Sequence, residues 1–147
     1  MSRFLPFVGG LAFTMAAMFP AVANASDPTD VIDYRKHVMK TLGAEAASIG
    51  LILQQKIPAD NLAIHIENLA LTATTALKAF EPEVEGGESK PEVWKNFADF
   101  TKKMKEFEAG TAELLKAVKA GGAAAAGPKV QAALTCKGCH DTYRAKK

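Results

Sequence analysis

The sequence predicts an all-α fold, an antiparallel up-down four-helix bundle. Three observations carry this. Apolar residues recur at helical spacing in four separate stretches, no stretch alternates with period two, and short loops rich in proline, glycine and acid separate the stretches. A chain of 147 residues corresponds to one domain.

The first stretch stands apart as a signal peptide spanning residues 1–25. Arg3 supplies a positive start, Phe4 to Phe19 is almost wholly apolar, and Pro20 breaks the run. Ala21-Val22-Ala23-Asn24-Ala25 then offers small residues at the spacing a signal peptidase reads. The cut is placed after Ala25, with Ala23 as the near alternative. An uncleaved membrane anchor is the weaker reading, because the run is barely long enough to span a bilayer and Pro6, Gly9 and Gly10 interrupt it. The domain is therefore residues 26–147, about 122 residues, enough to bury roughly two-thirds of the chain's surface. Formal charge is +2, falling to about +1 without Arg3. With no clustered basic face, no nucleic-acid partner is expected.

Within the domain, Asp27-Pro28-Thr29-Asp30 reads as a helix start: an N-cap acid, proline at the first helical position and an acid in the first turn. Val31, Tyr34, Val38, Leu42, Ile49, Ile52 and Leu53 then form an inward stripe that runs to about Gln55, where Pro58 interrupts. A second helix opens near Pro58-Ala59-Asp60 and turns Leu62, Ile66, Leu69, Ala73, Leu77 and Phe80 inward. Glu81 to Lys90, with Pro82, Gly86, Gly87 and four glutamates, is a solvated loop. Ser89 and Glu92 have capping-box spacing at the start of a third helix. Its stripe runs through Trp94, Phe97, Phe100, Met104, Phe107, Thr111, Leu114, Leu115 and Val118 to a stop at Gly121-Gly122. Ala123 to Ala126 reads either as linker or as a frayed extra turn. Pro128 opens the fourth helix, with Val130, Ala133, Leu134 and Tyr143 facing in.

The chemistry lies on that last helix. Cys136-Lys137-Gly138-Cys139-His140 is Cys-x-x-Cys-His, the pattern for c-type haem attachment. Positions i, i+3 and i+4 share one helical face, so both sulfurs and the imidazole project together. Two thioethers from Cys136 and Cys139 then hold one haem c, and His140 reaches the iron as proximal ligand. Gly138 admits a close approach of the ring, and Lys137 is a solvated passenger. A thioredoxin-type dithiol would follow a strand, a zinc site would want two more ligands than His37 and His65 provide, and a plain disulfide would not ask for the adjacent histidine.

With the motif near the C-terminus, four helices ahead of it, and Tyr34-Arg35-Lys36-His37-Val38-Met39 on the first helix, the whole mature chain resembles a class II c-type cytochrome. That group contains cytochrome c′ and its low-spin relatives of the c-556 type. The resemblance implies that the first-helix residue four after the arginine, here Met39, faces the distal side of the iron. At 100° per residue, Arg35, Gly43 and Ala46 fall within about 40° of Met39, and His37 lies about 160° away. Met39 thus shares its face with an arginine and two small residues, which leaves room for a flat macrocycle. Arg35 is either a partner for a haem propionate or a surface charge.

The favoured reading is a periplasmic mono-haem electron carrier with six-coordinate, low-spin His/Met iron, Met39 being the distal ligand. The alternative is a five-coordinate cytochrome c′ that binds or sequesters nitric oxide or a similar gas, with Met39 only a packed neighbour. An exported dithiol oxidoreductase survives only without haem. No catalytic constellation is present, so the chain is not expected to be an enzyme. Redox proteins are the expected partners, and pairing of relatives through their first two helices implies a homodimer. His65, amid Ile64, Ile66 and Leu69, reads as a satisfied or partly exposed histidine. Lys102, Lys103, Lys105, Lys116 and Lys119 read as the wet face of a long helix. Arg144, Lys146 and Lys147 follow the motif, where they would steer acidic redox partners.

Overall fold

The computed structural model describes residues 26–146; the expected signal peptide and Lys147 lie outside the described residues. Helix α1 spans Pro28–Leu53 and begins as its sequence dictates. The Asp27 side chain accepts a hydrogen bond from Thr29 N at 2.7 Å, with Pro28 at the first helical position and Asp30 in the first turn. The helix ends at Gln54, and Gln55 takes a left-handed φ of 58° that turns the chain toward Pro58. A 3₁₀ turn over Ala59–Asn61 leads into α2, Leu62–Ala76, which another 3₁₀ turn carries on to Phe80.

The third rod is a short α3, Glu92–Lys95, and a long α4, Phe97–Ala126, separated by a break at Asn96 (φ −122°, ψ 43°). Gly121 and Gly122 leave helical geometry and kink α4, and Ala123 to Ala126 form one further turn beyond the kink. The expected fourth helix is two pieces, α5 (Val130–Ala133) and α6 (Cys136–Tyr143), because Leu134 (φ −93°, ψ 66°) leaves the helical region. Together the rods make an antiparallel up-down four-helix bundle. No strand occurs among the described residues, only isolated bridges.

Most of the stripe residues are inside. Ile49, Leu62, Ile66, Leu69 and Leu114 are fully buried, and Val38, Leu42, Phe100, Met104 and Tyr143 join the same core. Tyr34 departs from expectation at 52% exposure. The inward position of that turn is held by Arg35, and Tyr34, 100° round the helix, faces out. The capping box is also not formed: α3 has no side-chain cap, with Pro91 in the cap position. The Ser89 backbone is engaged instead in antiparallel bridges to Gly86 and Arg144.

That bridge ties the acidic loop to the end of α6. Lys90 N donates to Tyr143 O at 3.0 Å, Ala145 N to Glu88 O at 2.8 Å, and Lys90 Nζ to Thr142 O at 3.1 Å. The other side of the loop lies on α1. The backbone angle of Gly86 (φ 120°) calls for glycine there, and an added Cβ would come 3.0 Å from Ile32 Cδ1 and press that methyl aside. Helix α2 packs against both α1 and α4, which face one another across a cavity closed at its edges by this loop and by α6.

Candidate functional site

The cavity has a volume of about 390 Å³, within the range of small-molecule sites. From α1 it receives Arg35, Met39, Gly43 and Ala46; from α6 it receives Cys136, Cys139, His140 and Tyr143. The residues grouped on one face of the first helix and those of the Cys-x-x-Cys-His motif, about a hundred positions apart in sequence, therefore line one space. Helix α4 supplies the floor with Phe100, Met104 and Phe107.

On α6, Cys136 is exposed and Cys139 half-buried, and both are free thiols. Burial pushes the Cys139 thiol up; nearby Lys103 pulls it down, while Asp99 and Cys136 add to the rise. His140 is half-buried, and burial, helped by Arg144, pulls its pKa down and favours the neutral imidazole. Tyr143 is 4% exposed, and its hydroxyl donates to Asp99 Oδ2 at 2.5 Å. Its phenol is pushed up to about 12 by burial and by that carboxylate.

Arg35 is not the surface charge that one reading of the sequence allowed: it is 3% exposed. Its Nη2 donates to Val84 O at 2.8 Å, and its guanidinium lies 5.3 Å from the Phe80 ring centre and 5.0 Å from that of Trp94. Trp94 is itself fixed by Nε1 donating to Phe80 O at 3.0 Å. Arg35 Nη1 is buried with no hydrogen-bond partner. Met39 is half-buried and packs against the core. Where Gly43 sits, a Cβ would meet nothing within 4 Å, so the helix wall is thin beside Met39.

The other marked residues lie elsewhere. His37 is exposed and does not line the cavity. His65 is satisfied, with Nδ1 2.7 Å from Glu45 Oε2. Among the described residues no three His, Cys, Asp or Glu side chains gather as a metal site. Lys102, Lys105, Lys116 and Lys119 are exposed, but Lys103 is half-buried and lines the cavity. Sequence reasoning missed Lys103, along with the Tyr143–Asp99 contact and the loop residues at the rim. The spacing of Lys103 from Phe100 and Phe107, which share its side of α4, carried the signal.

A helical bundle with paired thiols and an imidazole on one wall of an internal cavity, opposite a thioether and a buried cation, defines a cytochrome of the class II type. The Cytochrome C′ family model matches residues 30–144, so the chain belongs to the cytochrome c′ family. It is 35% identical over 130 residues to cytochrome c′ of Rhodospirillum rubrum, covering 84% of this chain and 88% of that one. It is 27% identical over 121 residues to cytochrome c-556 of Agrobacterium tumefaciens, covering 79% and 98%. A solved ferrous variant of cytochrome c prime from Alcaligenes xylosoxidans with bound NO superposes with a TM-score of 0.77 at 26% identity, covering 83% of this chain and 98% of that chain.

The family implies a haem, and the residues fit one. Two free thiols and an imidazole leaning to its neutral form stand on one short helix. The open space at Gly43 accepts a flat ring, and the orphaned Arg35 Nη1 wants an acceptor of the kind a propionate carboxylate presents.

Proposed function

We propose that this chain is a periplasmic, mono-haem cytochrome c′ that binds or sequesters nitric oxide or a similar small gas. In this reading Cys136 and Cys139 are thioether tethers, His140 is the proximal ligand, and Arg35 meets a propionate. A haem held by these residues would supply the gas-binding and one-electron chemistry at its iron. The protein residues set the conditions for it. His140, half-buried, is held neutral and able to donate its lone pair. Phe100, Met104 and Phe107 keep water from the floor of the cavity.

The observation that carries the reading is that Met39, packed against the core, faces the same cavity as His140. A side chain engaged in packing crowds the distal space and selects small ligands. The bound NO of the Alcaligenes protein is in keeping with this use of the fold. Adding nitric oxide to the reduced protein tests it: a high-spin spectrum that shifts on addition supports the reading. A low-spin spectrum unmoved by the gas, with a methionine–iron charge-transfer band once the protein is oxidised, rejects it.

The second reading is the six-coordinate electron carrier with Met39 as distal iron ligand. The c-556 relative favours it. In either case redox proteins exchange the electron, and Arg144 and Lys146, both exposed beyond α6, with Lys147 after them, steer acidic partners. Residues 1–25, with Arg3, the apolar run and the small residues to Ala25, would direct export and be cleaved; among the described residues no helix is long and apolar enough to cross a membrane. Exposed Tyr34 and Leu51 on α1 and Ile64 and Leu71 on α2 support a homodimer through the first two helices, which sedimentation of the purified protein tests.

A further inference from the structure

The haem reading accounts for the cavity but leaves one polar cluster on its α4 side unused. Asp99 and Lys103 stand one turn apart on α4 with Lys103 Nζ 3.9 Å from Asp99 Oδ2. The same Oδ2 accepts the Tyr143 hydroxyl at 2.5 Å from α6. Tyr143 is nearly sealed from solvent, and its ring stands edge-on to Phe100 at 5.2 Å. Asp99, by contrast, keeps about half its side chain in water, with 53% exposure. A half-exposed carboxylate is ordinarily free to swing away; the buried hydroxyl fixes this one against α6.

We infer that Asp99, held by the Tyr143 hydroxyl and set against Lys103, is a charge pair that tunes the reduction potential of the iron carried at Cys139 and His140. The inference rests on the haem reading. Lys103, Cys139 and Tyr143 line one cavity, and Asp99 stands just behind that wall, joined to it through the Tyr143 hydroxyl and beside Lys103. The couple is a one-electron exchange with an outside donor, ferric iron carrying one more positive charge than ferrous. A fixed negative charge favours the ferric form and a fixed positive charge the ferrous form, with little solvent reorganisation when the side chain cannot move. Tyr143 is thus a positioning residue that acts through Asp99.

The test is potentiometric titration of the purified holoprotein and its Asp99→Asn, Lys103→Gln and double variants, after mass and circular dichroism have verified haem load and helicity. Asp99→Asn should raise the ferrous-to-ferric ratio at fixed ambient potential about two- to tenfold, and Lys103→Gln should lower it by a similar factor. The double variant should return close to the parent. Tyr143→Phe keeps the ring on Phe100 but frees the carboxylate into water, so it should move the ratio the same way as Asp99→Asn. The phenol's ultraviolet titration, read separately, should fall toward that of an ordinary buried tyrosine in Asp99→Asn. Haem-loaded, folded variants whose potentials all match the parent would overturn the inference alone. A parent protein that carries no haem would overturn both it and the reading beneath it.

Discussion

Arg35 lies with its guanidinium carbon 5.0 Å from the centre of the Trp94 ring and 5.3 Å from that of the Phe80 ring. A cation sealed to 3% exposure is thereby held by two aromatic faces and one carbonyl, that of Val84. Burial lowers its pKa from the ordinary arginine value, but a guanidinium does not give up its proton in a protein. The bundle thus carries a fixed positive charge into the edge of its cavity.

Arg35→Ala removes the donor to Val84 O and leaves a gap between the rings. Stability should fall by about 2–4 kcal/mol, read from the urea midpoint. Arg35→Met, which refills the volume, should recover part of this but leave the carbonyl unpaired. Equal stability of the parent and Arg35→Ala would mean that the residue serves only the ligand.

Gly86 is where the acidic loop meets α1. Gly86→Ala places a Cβ 3.0 Å from Ile32 Cδ1 on a residue with φ 120°, and should cost about 1–3 kcal/mol in unfolding. The same loop is bridged to Arg144, so amide exchange in residues 142–145 should also quicken in this variant. Exchange left at the parent's rate would show that the loop does not secure α6.

Tyr143 makes stability depend on alkaline pH. Below about 10 both folded and unfolded chains hold the phenolic proton. Between there and about 12 the unfolded chain releases it while the folded chain retains it, so stability falls as pH rises through that window. Tyr143→Phe should show a slope shallower by at most about 1.4 kcal/mol per pH unit. Identical slopes would contradict a raised phenol.

Met39 separates the two functional readings. In the five-coordinate reading, Met39→Ala keeps high-spin iron and speeds nitric oxide association about tenfold, because the side chain narrowing the distal space is gone. Conversion from low-spin to high-spin instead would identify Met39 as a ligand. Stopped-flow absorption reads both.

The legible parts of this molecule were those written in periodicity and in local motifs. Helical spacing located the bundle, Asp27-Pro28 its first cap, and the Cys136 to His140 motif a set of residues that lines the cavity, because each depends on residues within a turn or two. Grouping Met39 with Arg35, Gly43 and Ala46 also succeeded, since a face is a property of one helix. What escaped depends on partners far away in sequence. Arg35 is buried only because Phe80 and Trp94 come together around it, and Lys103 is a wall residue only because α6 folds over α4. Tyr34 was misread for the same reason: the stripe gave its angle, but the neighbours decide whether anything covers that angle. Ser89 fits a capping box locally and loses it to a bridge with Arg144, more than fifty residues on.

The mass of the intact, denatured protein tests the central claim most directly. Attachment through Cys136 and Cys139 predicts a single species heavier than the polypeptide by one haem, with neither thiol open to alkylation. A bare polypeptide mass, with the two thiols free or joined only to one another, would contradict it.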